Sequence, residues 1–485
     1  MEGKIISAEI EDSLAAVEED TASWCEEELS DVDLGDKRLE WRVIDTATKL
    51  AAQPTASINQ ACEDWADTKA AYRLFANEKV TAEKILGPSQ QRTRERMKGY
   101  GLVLAVQDTT FLDYTRHTKT DGLGPIGTQQ QNLKGLVMHS TLAFSPEGMP
   151  LGLLAQEIWA RSGEEEQLTE QERKSRPIEE KESYKWLKAL EETVSLSPEG
   201  VQVVTICDRE GDIYELFVEA QKAGTGLLVR AAQNRAVMDA ETGLLWDTAA
   251  STAPVRHLKV QVPARVKEPG REAVVSVRFS SVTLKPPWRA KMPDKDPLLP
   301  VPLDAVLVQE VEPPAEATPL EWLLLTNAPV HTAEDAVERV QWYRQRWPIE
   351  VFHKVLKSGC KVEDCRLGKG ERLIPYLALS SIIAWRLYWL THINRHFPDA
   401  PCITVLAEHE WQALYATIHR TSTPPEQMPT VRQAVRWIAQ LGGFLGRKGD
   451  GEPGPTVTWR GWQRLNDIAA TWLLLHPSPG PTTCG

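Results

Sequence analysis

At 485 residues and 42% apolar composition the chain has material for roughly two to four domains, and no run approaches the roughly 18 uninterrupted apolar residues of a membrane span. A net charge of −13 argues against a phosphate-bearing partner only until its distribution is read. Residues 1–35 hold twelve acids against Lys4 alone, so everything after them sums to −2. Seven scattered cysteines, an odd number, point to a reduced, cytoplasmic setting. The opening MEGKIISAEIEDS lacks a basic stretch followed by an apolar one, so no export signal is expected. Cys360 and Cys365 are spaced five apart with no second Cys/His pair, which disfavours zinc.

Residues 1–23 form an acidic leader, read as a solvated arm, with masking of a DNA-binding surface as the minority reading. Residues 24–98 have helical spacing with breaks at 53–55 and 87–88, and carry Arg38 and Arg42 among twelve bases after residue 35. Either a helical DNA-end-reading module or a structural helical cap fits. From 99 the texture changes. The run Leu102, Val103, Leu104, Ala105, Val106, Gln107 ends in Asp108, and 201–208 (VQVVTICD) repeats that design, so each reads as a buried strand with an acid at its end. Between them, 135–144 and 150–160 flank the turn signal Ser145-Pro146-Glu147-Gly148 and read as a hairpin. Helices are expected at 184–194 and 213–223, with a strand at 226–230. Three strands, helix, strand, helix, strand is the order of a ribonuclease H-like α/β core, in which the first and fourth strands lie side by side.

Residues 231–330, alternating at 257–262 and 273–279 and Pro-rich at 286–302, read as a β-rich insertion. Helical periodicity resumes at 333, and Pro348 predicts a kink or a new helix start because it lacks the amide owed to the Arg344 carbonyl. The catalytic core is expected to close over 331–375. Residues 376–485 form a helical, Trp-rich C-terminal domain whose last residues, 477–485, look disordered.

Taken singly, Asp108 could be a turn residue and Asp208 a helix cap. Together, at the ends of paired strands and with a third acid, Glu350, they suit metal-dependent phosphodiester chemistry. Two divalent ions about 3.5–4 Å apart supply a deprotonated oxygen and neutralise the leaving group, and Mg2+, with Mn2+ as substitute, needs few carboxylates. On a regular helix Arg346, Glu350, His353, Lys354 and Lys357 share one face, with Tyr343 a turn further back. Residues 339–372 carry nine bases against four acids, a surface fit to grip phosphates. A solvated ion-pair face is the alternative. Trp322, opening an apolar strand, is either a core residue or a platform for an extruded base.

QDTT (107–110), CDREGDIYE (207–215) and YRQRWPIEVFHKVLK (343–357), with LGDKR (34–38), AYRLF (71–75), EWLLLTNAPV (321–330) and IAQLGGF (438–444), resemble the DDE transposases of bacterial insertion sequences, in the subgroup with a Tyr-Arg-Glu-Lys signature. The resemblance implies that Asp108, Asp208 and Glu350 bind two catalytic metals. It implies that Tyr343, Arg346 and Lys357 hold the DNA backbone near a flipped nucleotide on which Trp322 stacks, with Arg230 a basic position nearby. Arg38 and Arg42 would help recognise inverted-repeat ends of double-stranded DNA, and the C-terminal helices would pair two subunits into a DNA-bridged homodimer. A 3′ nick, a hairpin, its hydrolysis and joining to target DNA would follow. The chain departs from the family in its acidic leader and in Pro348, between the signature Arg and Glu. Rival expectations are a nuclease of the same fold that cuts without joining, and a domesticated or inhibitory DNA-binding protein.

Overall fold

The computed structural model describes residues 24–476 except 63, 128, 164–168, 170, 171, 173–175, 239–242, 263–269, 288–297 and 316. The acidic leader and the tail at 477–485 lie outside the described residues. In chain order come helices α1 (Trp24–Leu29), α2 (Lys37–Ala52), α3 (Ile58–Ala61), α4 (Trp65–Phe75) and α5 (Ala82–Met97), then strands β1 (Leu102–Asp113), β2 (Gly124–Ile126), β3 (Leu133–Phe144) and β4 (Pro150–Trp159). Helix α6 (Tyr184–Leu196), β5 (Gln202–Cys207), α7 (Tyr214–Ala223), β6 (Gly226–Arg230) and α8 (Leu245–Ala250) follow. Next are β7 (Arg256–Val262), β8 (Arg271–Leu284), β9 (Val301–Glu310) and β10 (Glu321–Thr326). The chain closes with α9 (Ala333–Arg344), α10 (Pro348–Lys354), α11 (Gly370–His396), α12 (Glu408–His419), α13 (Val431–Leu441) and α14 (Pro455–Leu475). Two compact units result, one of residues 93–113 and 123–350, the other of 24–92, 114–122 and 351–476.

The first unit is built on one ten-stranded sheet of order β2-β3-β1-β5-β6-β10-β9-β8-β7, with β4 paired to β3. β1 and β5 run parallel, Leu102 to Val106 against Gln202 to Ile206, so the strands carrying the two aspartates are neighbours, as expected. One expectation is corrected. Asp108 does not end its strand: β1 continues to Asp113, paired antiparallel with β3 from Leu104 to Asp113. Thr109, Thr110, Phe111 and Leu112 are good strand formers, and β3 offers them a ladder where β5 no longer does. The hairpin between β3 and β4 turns at 145–148, where Ser145 N–H donates to Met149 O at 2.9 Å and Gly148 holds φ +95°.

The strands expected in 231–330 are present, but they do not form a body apart. β10 pairs antiparallel with β6, Leu324 opposite Arg230, and β9, β8 and β7 extend the same sheet outward. One apolar core serves both halves: Trp186, Leu187 and Leu190 of α6 and Tyr214 and Phe217 of α7 pack with Leu227 and Val229 of β6 and with Leu323 and Leu325 of β10. Asp212, buried just after β5, closes the segment that follows β6. It accepts from the Ala232 and Gln233 amides at 2.7 and 2.8 Å and from Arg235 Nε at 3.0 Å.

The second unit is helical. α11 is long and apolar enough to cross a membrane by length and composition, but 83% of its most apolar window is buried within the protein, where it serves as a core helix. Phe75 of α4 meets Tyr376 of α11 edge-on, ring centroids 5.6 Å apart. Asn466 of α14 donates to Ala52 O at 2.7 Å, tying the N-terminal helices to the last one. α13 and α14 cross closely because Gly442 and Gly461 have no side chain; a Cβ on Gly461 would lie 1.7 Å from Ile438 O.

Pro348 opens a new helix, as its missing amide predicts. α9, started by a Thr332/Asp335 capping box, ends at Arg344, and α10 begins at Pro348. The single shared face expected for 346–357 is therefore corrected. Arg346 lies in the break before α10, and Lys357 lies in a π-turn over Val355–Gly359 that displaces it from regular spacing. His353 is also corrected: it is buried rather than presented on that face, while Lys354 is exposed and Lys357 half-buried.

Candidate active site

Asp108 stands two residues beyond the last β1–β5 pair, where the two parallel strands diverge. Its Oδ1 accepts from the Thr109 amide at 2.9 Å. Beneath it, Thr109 Oγ1 is hydrogen bonded to His139 Nδ1 at 2.9 Å, and His139 Nε2 lies 3.3 Å from Gln107 Oε1, so a buried polar network fixes the local backbone. Asp208 immediately follows β5 and accepts from the Glu210 amide at 2.8 Å. It is thus the cap of the next turn as well as an acid at the strand's end. Glu350 is on the first turn of α10.

Arg346 links the set. Its guanidinium pairs with Glu350 and lies 3.8 Å from Asp108 Oδ2. Burial depresses the Arg346 pKa most, yet the bond to Glu350 and the nearby Tyr343 and Asp108 hold it above its ordinary value. The Asp108 carboxyl is pushed up to about 7: burial is the largest cause, Arg346 opposes it, and the like charges of Asp208 and Glu350 add to it. Asp108 and Glu350 therefore share one half-buried cation, and Asp208 adds its charge at Asp108.

Beside them, Tyr343 is buried and meets Trp322 edge-on, centroids 5.6 Å apart at 61°. Arg230, on β6, is hydrogen bonded to Tyr343 and donates to Glu321 O at 2.9 Å. Burial lowers the Arg230 pKa. Trp322 is half-buried, with Val308 opposite it on β9, so it is neither a sealed core residue nor a free platform. The sheet unit thus brings together Asp108, Asp208, Glu350, Arg230, Trp322, Tyr343 and Arg346. His353, Lys354, Lys357, Arg38 and Arg42 belong to the helical unit. There Arg38 is exposed and Arg42 half-buried a turn later on α2, flanking Trp41, which is 61% exposed. Sequence reasoning did not find His139, which carries no motif, nor its partnership with Gln107, which arises only through β1–β3 pairing.

Among the described residues no three acid, His or Cys side chains stand as a ready-made metal cage. The donor chemistry nevertheless fits a hard divalent cation: hard oxygen donors come from three elements, and the three acids outnumber the Arg230 and Arg346 guanidinium groups. Without metal, the raised Asp108 pKa has a measurable cost. The folded protein binds a proton at Asp108 that the unfolded chain releases near pH 3.8, so stability falls as pH rises from about 4 through 7. In chelator, Asp108→Asn is expected to gain on wild type over that window, by at most roughly 4 kcal/mol above pH 7. Urea unfolding at pH 5 and pH 8 checks this, and an unchanged difference between the two pH values contradicts it.

Fold and site define an α/β protein in which a half-buried arginine pairs with Glu350 and approaches Asp108 at the point where two parallel strands separate, with Asp208 at the end of the second strand. Residues 21–80 match the family described as transposase DNA-binding, and residues 382–471 match the transposase Tn5 dimerisation domain. The two matches support a Tn5-like transposase that binds DNA and forms a homodimer.

Proposed function

We propose that the protein is a cut-and-paste DNA transposase with a ribonuclease H-like core, cleaving transposon ends and joining the freed 3′ ends to target DNA through a hairpin intermediate. The observation that carries this reading is that Arg346 pairs with Glu350 and approaches Asp108, whose carboxyl also feels the charge of Asp208, in a chain whose N- and C-terminal parts match transposase families. Asp108, Asp208 and Glu350 would hold Mg2+ or Mn2+, which supplies an activated oxygen nucleophile and neutralises the leaving oxygen.

The chain's own groups account for the remaining steps. Arg346, charged at any working pH, neutralises the acids and holds Asp108 and Glu350 in register. Arg230 and Arg346 flank the Tyr343 hydroxyl, so two cations and one donor face the place a backbone phosphate would take. Trp322, buttressed by Tyr343, offers a ring to a base turned out of the duplex, which relieves the strain of a tight hairpin.

A duplex carrying the element's inverted repeat, incubated with Mg2+ or Mn2+, is expected to give nicked, hairpin and strand-transferred products, and none in chelator. Nicking without any joined product under all conditions would reduce the protein to a nuclease. Trp322→Ala is expected to slow hairpin formation at least tenfold more than the first nick, a loss of about 1.4 kcal/mol or more of stacking confined to the later step. Equal loss of both steps in a gel time course would make Trp322 a packing residue.

A further inference from the structure

In the helical unit, an open cavity of about 430 Å³ lies between the π-turn after α10 and the face of α14. Lys354, Ser358 and Lys361 line one side, Arg460 and Gln463 the other, and Thr55 closes it from the N-terminal helices, donating to Gln463 Oε1 at 2.7 Å. Lys354, Lys361 and Arg460 are all exposed, and among the described residues none of the three forms an ion pair. A second cavity continues along α14 past Arg460 to Arg464.

The basic lining is maintained by structure rather than by chance of composition. Gly359 lies so close to Trp459 that a Cβ would come within 3.1 Å of the indole, so the π-turn is seated on α14 at its only position without a side chain. Lys361 follows in the left-handed region, φ +47°, a conformation costly for a lysine and one that sets its side chain at the cavity wall. Three cations with no acid among them, ringed by the hydroxyls of Thr55, Ser358 and Thr456 and the Gln463 amide, form a site for a phosphate-type anion.

We propose that this pocket binds a phosphate of the DNA backbone, making α14, within the segment that matches a dimerisation domain, a DNA-contacting element as well. The proposal rests on the transposase reading and adds Lys361 and Arg460 to its DNA contacts. The same chemistry would accept a free polyphosphate, and the two sources are separable.

The test is the salt dependence of binding to inverted-repeat duplex, comparing wild type with Lys361→Asn/Arg460→Gln; asparagine tolerates the left-handed backbone that Lys361 adopts. Across about 50 to 200 mM salt, the slope of log K against log salt is expected to be shallower by about 1 to 2 in the double variant, with circular dichroism and melting unchanged. An unchanged slope, with wild-type nicking still sensitive to Asp108→Ala, overturns the pocket while leaving the transposase reading intact. Absence of DNA binding by wild type overturns the reading itself. Calorimetric binding of inorganic pyrophosphate that is lost in the double variant, with the DNA slope unmoved, identifies a free-anion site and also overturns the proposal.

Discussion

Asp108→Ala, Asp208→Ala and Glu350→Ala are each expected to abolish nicking, hairpin formation and joining together, lowering the first-strand cleavage rate by on the order of a thousandfold or more. A bound metal contributes several kcal/mol to such a step, and about 1.4 kcal/mol is tenfold. The three losses should be alike because the acids come from three separate elements and each would supply its own oxygen donor. Truncation also changes the electrostatics around Arg346, which pairs with Glu350 and approaches Asp108. Asp108→Asn keeps the shape and removes the charge, so it should be as inactive as alanine while folding at least as well. Persistence of nicking in Glu350→Ala, followed on end-labelled duplex, would remove Glu350 from the site and with it the three-carboxylate reading.

Asp212→Ala is expected to have the largest effect on folding, destabilising the sheet unit by roughly 3–5 kcal/mol, because breaking a buried pair leaves the remaining charge without compensation. The Asp212 side chain is fully buried, and it satisfies two backbone amides and the Arg235 guanidinium at 2.7 Å, itself only 10% exposed. Without it, Arg235 and the Ala232 and Gln233 amides lose their acceptor, and the segment leaving β6 loses its anchor. Chemical denaturation with a far-UV probe measures the change. A loss below about 1 kcal/mol would show that water or a neighbouring carbonyl replaces the carboxylate. Asp208, four residues earlier in the same motif, should by contrast cost activity and little stability, since it is half-buried and makes one recorded bond to the Glu210 amide.

That contrast shows what sequence carries and what it does not. CDREGD presents two aspartates four apart, and nothing in the spacing tells the half-buried acid from the buried anchor; the difference arises from where β6 returns. The strand and helix order from 102 to 230 was legible because apolar runs, a Pro-Glu-Gly turn and helical spacing are local signals. So was the new helix at Pro348, since a missing amide is a property of one residue. The continuation of β1 past Asp108 was not legible. It depends on β3 lying alongside after β5 has ended, which is a matter of pairing at long range. The π-turn after His353 seats Gly359 against Trp459, a contact a hundred residues away in the chain. The inserted strands were visible as strands, but alternation cannot say whether four strands close on themselves or extend an existing edge.

The chain passes between its two units four times, the last time between Glu350 and Val351 within α10. No single scission can therefore separate them cleanly. A protease cut between 123 and 350 leaves the sheet divided between two fragments, while the fragments still share the helical unit. Nicked protein should migrate as one particle under native conditions and resolve into fragments only in denaturant. Truncation from either end, similarly, removes part of a shared core: a fragment ending at Met97 carries Phe75 and Ala52 away from Tyr376 and Asn466. Dissecting this protein is accordingly a problem of choosing point substitutions, because its modules are woven through the sequence rather than strung along it.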